Sequence, residues 1–314
     1  MATAQHNTDT PGSLITRDGQ IQWAGLLFGP GTPYQIDSTG LTGWDDLPGL
    51  DSADVARPDQ HGSWPGAQWA KPRTVSAAVW LLPGRPEQAA DVAREFRAAT
   101  GVHDSEQWLA VRLHGETLAC RARVDRRVIP LDRTYQTQGV AKATLQWLST
   151  DPRRFSSSEQ SVRTTLPVPE PGLVWDGADR AGGAEGLRWP LEWGTADFIA
   201  DGTVTATNGG DAPVNPVVEF RGPVRRPSLT RLSDGTQLQY DIALAESDVL
   251  TVDTTAGTVT LNGTTSRIHT ATASSIPEQR FQLRPGTSSL AFRSAPGRVD
   301  PRASVTVTWR DAHW

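Results

Sequence analysis

The chain has 314 residues, 37% of them hydrophobic and 21% charged, with a formal net charge of −5. That length accommodates two ordinary domains, and with neither half of the sequence basic, the charge balance excludes a typical nucleic-acid binder. A single cysteine, Cys120, excludes an intrachain disulfide and a cysteine-based metal site.

From the beginning of the chain, residues 1–20 read as a flexible start. Residues 1–12 are polar and lack the basic and apolar regions of a secretory signal. A first strand is expected at 21–28 (Ile21, Trp23, Leu26, Leu27, Phe28), closed by Gly29-Pro30-Gly31, and a second at 34–41. An irregular segment rich in Asp, Pro and Gly follows from Asp45 to Lys71. Loops this long are usually functional or ordered by a partner, so an inter-subunit contact is expected here.

Residues 73–82 form a strand ended by Pro83-Gly84. Val75 to Leu82 is the longest apolar stretch and is far too short to span a bilayer, so no membrane association and folding in a cytoplasm are expected. A helix is predicted over 86–99. Pro86 suits its first turn, Ala89, Val92, Ala93 and Phe96 make one apolar stripe, and Gly101 is placed to end it. Strands at 107–114 and 117–125 read as a hairpin around Gly115-Glu116, and another strand at 139–148 is broken by Asp151-Pro152.

Residues 166–195 hold Pro167, Pro169, Pro171 and the Gly182-Gly183 pair, and read as a linker despite Trp175, Trp189 and Trp193. Beyond it the signals are all β. Short strands are expected at 202–207, 214–220, 228–232, 236–243, 248–253, 257–261, 279–283, 288–293 and 303–309, separated by turns such as Asp234-Gly235 and Asn262-Gly263. In the last of them Val305, Val307 and Trp309 are expected inward and Ser304, Thr306 and Thr308 outward. The fold class is therefore mainly β. A first domain at 1–165 carries one helix, and a C-terminal antiparallel β-sandwich occupies 196–314.

A search for chemistry assigns no catalytic, cofactor or metal site. The six histidines include no pair at the helical zinc spacing, there is no nucleophile elbow, and no glycine-rich phosphate loop is present. Asp45-Asp46 and Asp51/Asp54 complete no calcium-loop pattern. Cys120 lies on the apolar face of a strand and reads as an inert thiol. Two arginine groups remain, one at 121, 123, 126 and 127 and one at 221, 225, 226 and 231. For the first, the readings are a solvated face, an inter-subunit ion-pair row or the rim of a pore. The chain contains 12 Trp and 3 Tyr. Tryptophan both fills small cores and concentrates at protein contacts, which makes Trp44, Trp64 and Trp69 in the irregular segment candidate contact residues. His61, Arg121 and Arg123 join them.

The order of these features resembles the distal tail proteins of siphophages. The resemblance runs from the loop containing His61-Gly62 through the strand at 73–82, the helix at 86–99, the hairpin at 107–125 and Trp147-Leu148-Ser149-Thr150-Asp151-Pro152. It continues through Asn208-Gly209-Gly210, Pro216-Val217-Val218-Glu219-Phe220-Arg221-Gly222-Pro223, Phe281-Gln282-Leu283-Arg284-Pro285-Gly286 and Val305-Thr306-Val307-Thr308-Trp309. It implies a six-membered ring built by the first domain, a galectin-like sandwich projecting outward, and a non-enzymatic structural role at the tail tip of a virion. The partners implied are other copies of the chain, the tail tube protein, the tail hub and receptor-binding proteins, with DNA passing through the lumen without specific binding and no cofactor. An alternative reading is a carbohydrate-binding adhesion module, against which the sandwich has no Trp between Trp193 and Trp309. A wall-degrading enzyme is a third, without an acid pair or metal cluster to support it.

Overall fold

The computed structural model describes residues 10–167, 201–296 and 300–314. The chain divides into two compact units. The first comprises Met1–Glu159, Gly210–Ala212 and Arg310–Trp314, and the second Gln160–Gly209 and Pro213–Trp309.

The first unit opens with a hairpin where one strand was expected. β1 (Ile21–Trp23) and β2 (Leu26–Phe28) pair antiparallel. Ala24 and Gly25 between them have φ of 47° and 78°, the doubly left-handed conformation that matches the twist of a two-residue hairpin. β3 (Tyr34–Thr42) follows. The segment expected to be irregular contains four short strands, β4 (Leu50–Ser52), β5 (Val55–Ala56), β6 (Ser63–Trp64) and β7 (Gln68–Ala70). β8 (Arg73–Leu81), β9 (Gln107–Leu113), β10 (Glu116–Val128), β11 (Ala141–Ser149) and β12 (Arg154–Ser156) complete the unit's main sheet. Its order is β2-β1-β9-β10-β11-β8-β3, with β12 joining β10 and Ala312–His313 joining β12. β10 pairs with β9 along its first half and with β11 along its second, and a bulge falls between Val124 and Arg126.

Alternation along β8 and β11 puts Val75, Ala77, Val79, Leu81, Ala141, Ala143, Leu145 and Trp147 on one buried face. The aromatic heart of this core combines edge-on and stacked pairs. Trp23 and Trp147 rings lie 6.1 Å apart, Phe28 and Trp147 6.4 Å, and Tyr34 stacks on Phe96 at 5.9 Å. The expected helix is a 3-10 turn at Pro86–Gln88 running into α1 (Ala89–Ala99), and its stripe buries Ala93 and Phe96. A short second helix was not foreseen. In α2 (Arg133–Gln138) the Asp132 side chain accepts from the Tyr135 amide at 2.8 Å, an N-cap on a segment with no apolar period.

Residues 10–20 are fixed rather than flexible, because β9 and β10 bury their second face too. Ile15 packs there with Ala110 and Ala119, and the buried Gln22 side chain accepts from the Leu14 amide at 2.8 Å.

The second unit is a two-sheet sandwich. One sheet runs β13-β24-β15-β20-β21-β22, formed by β13 (Gln160–Thr165), β15 (Val217–Arg221), β20 (Val249–Asp253), β21 (Thr258–Leu261), β22 (Thr265–Ser266) and β24 (Ser304–Trp309). The other runs β14-β23-β17-β18, from β14 (Thr203–Asn208), β17 (Ser228–Arg231), β18 (Gln237–Gln239) and β23 (Gly286–Arg293). A small ribbon pairs β16 (Val224–Arg225) with β19 (Ala243–Leu244). Val218, Phe220, Leu250, Val252, Val305 and Val307 from the first sheet and Leu229, Leu238, Leu290 and Phe292 from the second are buried, each on the strand alternation that fills a sandwich core.

Four expectations for this region change. β13, assigned to the domain at 1–165, pairs along its whole length with β24, Val162 opposite Val307, so the sandwich begins before the Pro-rich segment. Of the linker assigned to 166–195, Leu166 is buried; residues 168–195, with Trp175, Trp189 and Trp193, lie outside the described residues. The strand expected at 279–283 is instead a 3-10 turn at Glu278–Arg280, and Ser304, expected outward, is buried. The last strand, β25 (Ala312–His313), leaves the sandwich and belongs to the first unit.

Candidate interaction surface

The segment from 45 to 71 is a β-arm made of nested ribbons. At its base Leu50 pairs with Ala70 and Ser52 with Gln68, and further out Val55 pairs with Trp64 and Ala56 with Ser63. Ala53 N donates to Ala67 O at 3.0 Å between the two ribbons, and Arg57 N to Gly62 O at 3.2 Å closes the loop at the tip. The Asp54 carboxylate accepts from the Gly66 amide at 2.7 Å. His61 is exposed at the tip.

An arm of two-stranded ribbons has no core of its own, and this one carries its apolar side chains outward. Trp64 is 58% and Trp69 59% exposed, and Leu47, Leu50 and Val55 are exposed as well. The Arg57 guanidinium lies 4.5 Å over the Trp64 ring, which holds that ring without covering it. Lys71 and Asp51 form an ion pair at 3.1 Å across the base. Several large apolar side chains left exposed on one element of this kind suit a contact surface.

The root of the arm is rigid. Arg73, 2% exposed, donates from Nη1 to the carbonyls of Gly43, Trp44 and Asp46, each at 2.8 Å, and from Nε to Pro152 O at 2.7 Å. Burial and the neighbouring Arg154 cation push its pKa down from the usual arginine value. Gly43 approaches so closely that a Cβ there would stand 1.9 Å from the Thr74 carbonyl oxygen, with φ at +80°. Arg154, also buried, pairs with Asp45 and donates to the Trp314 carbonyl. Trp44 is 3% exposed and belongs to the unit's core, with the Arg154 guanidinium 5.8 Å from its ring centre. It therefore anchors the arm and presents no contact surface of its own.

Of the predicted contact residues, Trp64, Trp69 and His61 lie together on the arm, and Trp44 lies beneath it. Arg121 and Arg123 are exposed on β10. Arg121 is engaged within the unit, its guanidinium 4.8 Å over the Trp108 ring, and Arg310 faces the same ring at 5.9 Å. Arg127, beyond the β10 bulge, donates from Nη1 to Arg97 O, Thr100 O and Thr100 Oγ1, filling acceptors at the end of α1. The second arginine group is largely paired: Arg221 with Glu219, Arg226 with Asp241 and the buried Arg231 with Asp234.

Sequence reasoning passed over Arg73 and Arg154. For Arg73 the signal was present, since it stands in phase with Val75, Ala77, Val79 and Leu81 on the inward side of β8. Cys120 is fully buried and its thiol is pushed up to about 12 by burial. Among the described residues no group of three or more His, Cys, Asp or Glu is placed to hold a metal ion.

Residues 209–313 match the family described as the siphovirus-type tail component, C-terminal domain. Among solved structures, the chain is similar to the Dit protein of phage SPP1, described as a paradigm of the hub adsorption apparatus in phages that infect Gram-positive bacteria. That match has a TM-score of 0.60 at 12% identity and covers 93% of this chain and 98% of the other. A chain of the phage P2 baseplate in its activated conformation gives 0.47 at 9% identity over 88% of this chain and 91% of that one, and another gives 0.48 at 8% over 92% and 96%. No match is found among curated proteins by sequence. The match to the tail-component model falls in the C-terminal part of the chain and takes in most of the sandwich. The chain as a whole shares the fold of the SPP1 Dit protein.

Proposed function

We propose that this chain is a non-enzymatic structural subunit that closes with five other copies into a ring at the tail tip. The ring joins the tail tube protein to the hub and offers its outer side to receptor-binding proteins. DNA passes through its lumen without specific binding, and assembly takes place in the host cytoplasm. The observation that carries this reading is the β-arm with Trp64 and Trp69 exposed on a root fixed by Arg73. A ribbon with exposed apolar side chains on a well-anchored root suits a heterologous contact repeated around a closed ring, where the exposed surface of each copy is covered by the next. Ring closure also protects the open sheet edges at β2 and β3.

Electron microscopy of the purified full chain across a concentration series tests the reading. Six-fold rings with a central channel support it. Monomers at every concentration, with or without added tail tube protein, overturn it.

A further inference from the structure

The root of the arm and the last strand of the chain share one buried cation. β25 pairs with β12, His313 opposite Arg154 and Ala312 opposite Phe155. The Arg154 guanidinium then reaches two ways, through Nη1 to the Asp45 carboxylate at the arm root and through Nη2 to the Trp314 carbonyl just past β25. The Arg154 side chain is 10% exposed while Asp45 is 72% exposed, so a largely desolvated cation depends on a carboxylate that water reaches freely. Its other neighbour, Arg73, is a second buried cation whose Nη2, like Nε of Arg154, lacks a hydrogen-bond partner among the described residues. Two guanidiniums close together in a poorly hydrated place need every acceptor they have. Loss of either Asp45 or the Trp314 carbonyl leaves Arg154 short of one.

We propose that Arg154 couples the pose of the arm to the pairing of β25, so that freeing one loosens the other. Arg154 is a positioning residue here: it presents no surface to a partner but decides how firmly the arm and the last strand are held. The strand is held on its far side by Asp211, which accepts from the Trp314 amide at 2.9 Å, and by the bridge between Ala212 and Ala312. A partner that pulls on residues 310–314 would therefore release the arm root, and an arm seated on a neighbour would tighten β25. The idea rests on the ring reading only for what the arm touches; the coupling itself is a property of the single chain.

The test is hydrogen–deuterium exchange on the full chain held monomeric by dilution, comparing wild type with Asp45→Asn and Asp211→Ala. Asp45→Asn keeps the shape of an exposed side chain and removes its charge. It is expected to speed exchange in the peptide covering 310–314 by about fivefold or more, the lower range of coupled sites. Asp211→Ala is expected to speed exchange at the Ala53 and Arg57 amides of the arm, since coupling of this kind is reciprocal. Faster exchange at 45–71 in Asp45→Asn with wild-type rates at 310–314 overturns the coupling, as does wild-type exchange throughout. Neither outcome bears on whether rings form, which microscopy reads separately.

Discussion

The indole Nε1 of Trp23 donates to the carbonyl oxygen of Ala99 at 2.8 Å. One hydrogen bond thus ties the first strand of the sheet to the last turn of α1, across 76 positions of sequence. Arg127 occupies the neighbouring acceptors at Arg97 and Thr100, so the C-terminus of the helix is closed by side chains from two different strands. Trp23→Phe keeps most of the ring volume and removes the donor. It should cost about 1–3 kcal/mol, the penalty for a buried carbonyl left without its partner, read as a lower urea midpoint with an unchanged slope.

Gly43 admits no side chain. Gly43→Ala must abandon a left-handed φ and push the Thr74 carbonyl away, and both changes fall on the backbone that Arg73 holds. A destabilisation of at least about 2 kcal/mol is expected, with a fall in thermal midpoint of several degrees. A midpoint equal to wild type would show that the root is less tightly built than described.

The arm residues should behave in the opposite way. Trp64 and Trp69 are mostly exposed, so the double change Trp64→Ala with Trp69→Ala is expected to move monomer stability by no more than about 0.5 kcal/mol for each position. Assembly should weaken by tenfold or more in concentration, since buried tryptophans at contacts are worth about 2 kcal/mol or more each. Light scattering across a dilution series reads the second quantity and chemical denaturation the first. Unchanged assembly removes these two residues from the contact.

Acid should act through Asp37. Trp80 Nε1 donates to its carboxylate at 2.8 Å and Lys142 pairs with it at 3.1 Å, which lowers its pKa from 3.8 to about 2. A carboxyl group that binds its proton less tightly in the folded chain stabilises the fold above its unfolded pKa. That contribution is lost as the pH falls from about 4 to about 2. The thermal midpoints of wild type and Asp37→Asn should therefore differ at neutral pH and converge over that interval. A gap independent of pH would mean that Asp37 acts through packing alone.

Cys120 should be silent. Full burial and a thiol pKa raised to about 12 leave almost no thiolate at neutral pH. A disulfide reagent at pH 8 is expected to label the chain only after denaturant is added.

What the sequence made legible follows from period and punctuation. The stripe from Ala89 to Phe96 named the buried face of α1, and alternation at Val305 and Val307 named the inward side of β24. The arm was visible as an unusual stretch rather than as strands, because ribbons of two or three residues are too short for a period of two to register. Of the three tryptophans named there as candidate contacts, Trp64 and Trp69 are exposed, while Trp44 is a core residue. Nothing local separates the three; Trp44 is buried in a core whose other members come from strands far along the sequence. β13 was assigned to the wrong side of the boundary for a similar reason, since its partner β24 lies near the other end of the sequence. Arginine chemistry was hardest to read. The exposed row on β10 drew attention by its density, whereas Arg73 and Arg154 organise the arm from within two other strands.

The return of Arg310–Trp314 to the first unit makes the sandwich an inserted cassette and not an appended tail. A fragment of residues 1–159 would lack the strand beside β12, the acceptor Asp211 and the Trp314 carbonyl, and would leave Arg154 with Asp45 alone. Gene exchange that replaces everything downstream of Glu159 must therefore bring a compatible last strand with it.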